Sequence, residues 1–171
     1  MNQTKWTVRD MAQIALVAAL YMVLTVVPPL NAIAYGPYQF RLSEMLNFLA
    51  FYNRKYLVAV TIGCMISNLI GFGVIDVFVG GGSTLVFVTL GVYFLKKYQN
   101  EYVWNGVLNK AFLYFSIFFS MTMFTIALEL HVLYQSPFLV TWFTTAAGEF
   151  ASLIVGSLII DRLAQRIDFT K

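Results

Sequence analysis

Apolar positions run nearly unbroken along the chain, and charges, prolines and glycines interrupt them at intervals suited to membrane-crossing helices. Such a helix needs about 20 predominantly apolar residues, fewer where it ends inside a protein-lined cavity. Six segments meet that description: 10–27, 38–52, 55–70, a fourth starting at 74 or 84 and ending at 94, 103–133 and 138–163. The first is ended by Pro28-Pro29. The second is short and polar at its start, with Arg41 and Glu44, and the fifth is long enough to tilt or project. The pattern predicts an all-α, six-helix transmembrane bundle, one domain over residues 1–171. Glycine and proline mark the connections: Pro28-Pro29-Leu30-Asn31-Ala32, Gly71-Phe72-Gly73 with Gly80-Gly81-Gly82-Ser83, and Gln135-Ser136-Pro137. They read as simple turns, or, for the triple glycine, as a hinge or a place where a ligand approaches backbone closely.

Composition removes the soluble alternative. Hydrophobic residues make up 60%, charged residues 11%, and the mean hydropathy is +0.75. A water-soluble domain carries about a quarter charged residues, so lipid must solvate most of this surface. Lys5 and Arg9 ahead of an apolar stretch resemble the start of a signal peptide, but no small-residue cleavage site follows, and the stretch reads as a retained first helix.

The net charge of +3 reports orientation rather than nucleic-acid binding. Of the 11 Lys and Arg residues, all but Arg41 and Lys110 (Lys5, Arg9, Arg54, Lys55, Lys96, Lys97, Arg162, Arg166 and Lys171) fall on the side where six spans place both termini. The positive-inside rule then predicts cytoplasmic termini, with Arg41 the exception and Lys110 near the start of span five. The single cysteine, Cys64, lies in an apolar run and fits a small buried side chain; it permits no disulfide framework. Aromatic residues, 17% of the chain, belong mostly to lipid-facing and interfacial belts.

Ionisable groups inside a membrane are costly unless paired or wet, so each is a functional candidate. Arg41, Glu44, Asp76, Glu129, His131 and Glu149 all fall toward the outer halves of their spans. Trp142, Thr145, Glu149 and Ser152 recur at helical spacing on span six, and Thr122, Thr125 and Glu129 on span five, each offering hydroxyls and a carboxylate to the interior. Arg41 and Glu44, three residues apart, either neutralise each other in an ion pair or reach a ligand. Asp76 either binds or caps a helix, His131 reads as interfacial, and Asn68 ends span three at the same level, where it can read a polar ligand edge. Trp142 and Tyr35 or Tyr38 are candidate stacking surfaces. The candidate substrate-binding set is Glu149, Glu129, Asn68, Arg41, Glu44, Asp76, Trp142 and Tyr35. On span one, Ala12, Ala15 and Ala19 make a small-residue face that permits close approach of another helix, in this bundle or in another subunit.

The chain has no phosphate-binding loop, HExxH, GxSxG or CxxC motif, so it cannot hydrolyse ATP itself, and one histidine cannot build a His-rich metal site. No cofactor is expected. Glu129 and Glu149 could serve as an acid–base pair in an intramembrane enzyme, but a nucleophile or metal-ligand set is missing. Capture or transport of a small polar molecule is the expected activity.

Tyr35-Gly36-Pro37-Tyr38-Gln39-Phe40-Arg41-Leu42-Ser43-Glu44 resembles the signature segment of the QueT family, among the substrate-binding S components of energy-coupling factor (ECF) transporters. Ile62-Gly63-Cys64, Ser67-Asn68-Leu69, Asp76 and Gly148-Glu149 extend the resemblance, which covers roughly residues 12–162. It implies a multi-pass protein of a bacterial cell membrane that captures a queuosine precursor, a deazaguanine base such as queuine. It also implies a scaffold subunit (EcfT) and two EcfA-type ATPases, with Ala15 and Ala19 packing on the scaffold, and toppling of the S component to carry ligand inward. An S component for thiamin or riboflavin, or a self-sufficient carrier, would use similar polar stripes. The resemblance does not assign the ligand contacts, which rest on the spacing above.

Overall fold

The computed structural model describes residues 6–171; Lys5, counted above among the cytoplasmic bases, lies outside them. The chain forms α1 (Val8–Val26), α2 (Leu30–Ala34), a 3-10 helix (Leu42–Phe51), α3 (Arg54–Gly71), α4 (Val74–Leu95), α5 (Lys110–Met121), α6 (Phe124–Tyr134) and α7 (Phe138–Ala164). A short 3-10 turn and a hairpin of two-residue strands, β1 (Tyr102–Val103) and β2 (Leu108–Asn109), join α4 to α5. Four stretches are long and apolar enough to cross a membrane: Val8–Val26, Val74–Tyr98, Lys110–Tyr134 and Phe138–Ala164. Their outward surface is apolar, with Leu16, Phe78, Tyr93 and Phe143 each more than two-thirds exposed, a surface that only lipid or a partner can cover.

The short polar second segment is the centre of the molecule. The 3-10 helix packs against α1, α3 and α7, and every residue from Leu46 to Phe51 is buried. A 3-10 helix rises about 2.0 Å per residue against about 1.5 Å for an α-helix, so ten residues reach as far as about 13 α-helical ones. That stretch lets so few residues run through the bundle. Below its polar start, Phe48 and Phe51 close on Phe112 and Phe115, with ring centroids 4.4 to 5.5 Å apart, and Phe115 stacks on Phe119 at 5.3 Å. These rings form an aromatic plug.

Two expectations are corrected. Gly80, Gly81 and Gly82 do not form a loop; they lie within α4. A Cβ on Gly80 would run into the Asn68 side chain and one on Gly81 into Met65, so these glycines let α3 and α4 approach. The fifth segment is not one long helix. It breaks at Thr122–Met123, where the Thr122 hydroxyl turns back to the Phe119 carbonyl (2.6 Å) and the Trp142 indole N–H donates to the Met121 carbonyl (3.1 Å). A broken helix at membrane depth survives when other groups take up its freed carbonyls in this way. Lys110 begins α5 and pairs with Glu101 at 2.6 Å on the surface.

The described chain ends meet. Thr7 and Asp10 cap α1 reciprocally, the Asp10 amide donating to Thr7 Oγ1 (3.2 Å) and the Thr7 amide to Asp10 Oδ2 (3.0 Å). Lys55 Nζ then donates both to Asp10 Oδ1 (2.9 Å) and to the Lys171 backbone carbonyl (2.8 Å). Phe169 lies on the rings of Tyr52 and Tyr56, at 5.8 and 6.2 Å.

Candidate functional site

The candidate residues gather at the other end of the bundle, around two small adjoining cavities. Gln39, Arg41, Glu44, Cys64, Gly80, Ser83, Thr84, Phe119 and Glu149 help line the larger, of about 20 Å³. Gln39, Phe72, Asp76, Glu129 and Tyr134 help line the smaller, of about 10 Å³. Each holds about one water molecule. Gln39 and Ile126 line both, so these two side chains form the partition.

The local chain path explains how the charges arrive there. Gly148 has no side chain because the Tyr38 backbone carbonyl occupies that space, and one turn along α7 the Ser152 hydroxyl donates to the Arg41 carbonyl. The Tyr38–Arg41 stretch is thereby held against α7, and it presents Arg41 toward α3 and Gln39 toward the cavities. Arg41 is extended (φ −104°, ψ 102°) and precedes the helix rather than sitting on it. It therefore makes no ion pair with Glu44, and the expected Arg41–Glu44 salt bridge is absent among the described residues.

Arg41 instead donates from NH1 to Asn68 Oδ1 at 3.0 Å, and its guanidinium carbon lies 5.9 Å from the ring centroids of both Tyr35 and Phe72, within cation–π range. Asn68 is fully engaged: its Nδ2 donates to the Asp76 carbonyl (3.2 Å) and to Cys64 Sγ (3.4 Å). Its side chain orients Arg41, and both its amide N–H groups are spent within the protein. Glu44 accepts from the Tyr21 hydroxyl and from Asn47 Nδ2 (2.5 Å), which joins α1 to the 3-10 helix. Beside it Thr25 Oγ1 donates to Ser43 Oγ at 2.7 Å.

Buried polar atoms normally find partners; among the described residues seven side-chain atoms do not, and besides Gln13 Oε1, Asn47 Oδ1 and Ser67 Oγ these belong to charged groups at the cavities. Arg41 Nε, Asp76 Oδ2, Glu129 Oε2 and Glu149 Oε1 are buried with no hydrogen-bond partner among the described residues. All four residues line one of the two cavities, and they come from four elements: the segment before the 3-10 helix, α4, α6 and α7. Asp76 sits in the first turn of α4 but makes no side-chain capping bond.

The other candidates lie further out. Thr145, Glu149 and Ser152 face inward as the helical spacing predicts, each 2% exposed or less. Trp142 belongs to the same stripe but packs on Phe124 and Phe138 and lines neither cavity. The Tyr35 hydroxyl donates to the Ser67 carbonyl at 2.8 Å, so Tyr35 backs Arg41 from behind. His131 Nδ1 meets the Ser136 carbonyl at 2.7 Å and closes the end of α6. Ala12, Ala15 and Ala19 are exposed on α1, whereas Ala18 is buried where the Gly63 backbone of α3 comes close. The pattern of charges and helical stripes does not point to Phe72, Ser83, Thr84 and Gln39 as lining residues, because each is an ordinary polar or aromatic residue until the fold places it.

No solved structure matches the chain. It is 59% identical over 162 residues to the queuosine precursor transporter QueT of Lactococcus lactis subsp. cremoris (strain MG1363), covering 95% of this chain and 96% of that protein. The model of the QueT transporter family matches residues 11–165. Apolar spans, a buried cluster of charged groups and this similarity agree, and the chain belongs to the QueT transporter family as a multi-pass membrane protein.

Proposed function

We propose that the protein is the substrate-capture S component of an ECF-type importer, and that it binds a queuosine precursor, queuine or a related deazaguanine base, between α4, α6, α7 and the 3-10 helix. The relative's substrate class motivates the ligand. The observation that carries the site is the convergence of four buried, charged side chains, each with an unpartnered atom, on two adjoining cavities. A deazaguanine edge presents neighbouring N–H donors, which a buried carboxylate accepts in two parallel bonds. Glu149 is the carboxylate of the larger cavity with a free oxygen and takes this part; Glu129 and Asp76, facing the smaller one, accept from the remaining donors or a ligand ammonium. Four acids against Arg41 favour a donor-rich or cationic ligand over an anion.

Six crossings are assigned by adding the 3-10 helix and α3 to the four long apolar stretches. The meeting of Asp10, Lys55 and Lys171 at one end supports an even count, and the bases gathered there make it the cytoplasmic end. The cavities then open toward the outside, with the aromatic plug on the cytoplasmic side of them. The plug and the absence of any nucleotide-binding motif favour a binding subunit that works with EcfT and two EcfA-type ATPases over a self-sufficient carrier. The exposed Ala12, Ala15 and Ala19 face of α1 is the assigned scaffold contact.

Thermal melting of the purified protein with queuine, guanine, thiamin and riboflavin tests the reading. A rise with queuine and not with the vitamins is expected; a rise with thiamin or riboflavin alone would assign a different S component.

A further inference from the structure

We propose that Gln39 is the residue that selects the carbonyl-bearing form of the ligand, its side-chain N–H donating to the ring carbonyl while Glu149 takes the adjacent N–H donors. The inference rests on the ligand reading above and adds to it a residue that the spacing of charges does not reveal.

Gln39 is 6% exposed and its backbone is left-handed, with φ 47°. That conformation is uncommon for a residue with a side chain, and it persists only where the surroundings enforce it. Three contacts enforce it here. The Gln39 amide donates to the Gly36 carbonyl at 3.0 Å and closes a turn behind it. The preceding Tyr38 carbonyl is seated on Gly148, and the Arg41 carbonyl that follows is held by Ser152. Both anchors are on α7, the helix that carries Glu149. The distance between the Gln39 backbone and Glu149 is therefore fixed by one rigid helix, as a two-point reading of a flat ligand requires.

The position of the side chain completes the argument. Gln39 lines both cavities, and its carboxamide forms no hydrogen bond with any described residue. Each cavity alone holds about one water, far too little for a bicyclic base. Since Gln39 and Ile126 are the shared walls, a rotation of the unbonded Gln39 side chain joins the two spaces at lower cost than moving a helix. The Ser83 and Thr84 hydroxyls on this wall are given to Thr125 and Cys64, and Glu44, Asp76, Glu129 and Glu149 only accept when ionised, whereas a carboxamide both donates and accepts. A lactam carbonyl flanked by N–H groups is matched by one donor beside acceptors. Arg41 NH1 is already committed to Asn68, and its unpartnered Nε is the charged donor of the larger cavity; Gln39 supplies the neutral donor beside it.

The test uses affinity for 7-deazaguanine and for 2,6-diamino-7-deazapurine, the same bicycle with an amino group in place of the carbonyl. Gln39→Asn keeps a residue that tolerates left-handed backbone but withdraws the amide by one methylene. Its unliganded melting temperature should match the wild type while affinity for 7-deazaguanine falls at least tenfold. Gln39→Glu removes the donor, and the wild-type preference for the carbonyl form should narrow at least tenfold. Wild-type affinity in Gln39→Asn, or an unchanged preference in Gln39→Glu, would overturn the proposal while leaving the ligand reading intact. Failure of the wild type to bind any deazapurine would overturn that reading and this proposal together.

Discussion

Arg41 donates to Asn68 at 3.0 Å, across from one element to another, and ignores the carboxylate of Glu44 three residues ahead of it. Asn68 is in turn held by the Asp76 carbonyl and Cys64, so the direction of one guanidinium is set by α3 and the start of α4 together. The arrangement separates polar groups engaged with the protein from those that keep unpartnered atoms at the cavities. Asn68 and Glu44 spend their hydrogen-bonding capacity on the protein, whereas Arg41, Asp76, Glu129 and Glu149 keep part of theirs for the cavities.

Asn68→Leu should therefore act at a distance. It deprives the buried Arg41 of its partner, a bond to a charged group of about 1.5–3 kcal/mol. A lower melting temperature and weaker ligand binding are both expected. A variant that melts lower yet binds with wild-type affinity would show that Asn68 does not orient Arg41.

Tyr21→Phe removes one of the two donors to Glu44 and loosens α1 from the 3-10 helix. A loss of about 1.5–3 kcal/mol is expected, read as a fall in melting temperature without ligand. An unchanged melting temperature would mean that the Tyr21–Glu44 bond contributes nothing to the fold.

The glycines give a paired comparison. Gly148→Ala forces the new methyl into the Tyr38 carbonyl and shifts the stretch that carries Gln39 and Arg41, whereas a Cβ at Gly82 meets open space within α4. Gly148→Ala should lose binding and stability. Gly82→Ala should hold both, or gain up to about 1 kcal/mol from helix propensity. Equal behaviour of the two would contradict the close-approach account.

Ala15→Trp and Ala19→Trp enlarge side chains that are exposed in the isolated chain. Ligand binding should persist while copurification with the proposed scaffold subunit and ATPases is lost. Retained copurification would place the partner surface elsewhere.

Helical periodicity, which the order of residues carries directly, makes much of the site legible. The inward stripe of Thr145, Glu149 and Ser152 and the small face of α1 follow from it, and the count of spans brings the acids to one end of the bundle. The features it does not convey share one cause, contacts between segments distant in the chain. The Arg41–Glu44 pair assumes an α-helical register, but the segment is extended and then 3-10, a choice made by burial on three sides. Gly80–Gly82 reads as a loop because glycine usually breaks helices, while the packing of Asn68 and Met65 onto α4 needs these residues inside one. Gln39 gives no sign of itself as a site residue because its left-handed backbone is imposed by α7, more than a hundred positions away in the chain.

The most direct measurement is the thermal shift that queuine produces in the wild type and in Glu149→Gln, which keeps the size of the side chain but replaces a two-oxygen acceptor. The account predicts a clear rise for the wild type, little or none for the variant, and similar melting temperatures for both without ligand. An equal rise in the two proteins would contradict the placement of the ligand against Glu149.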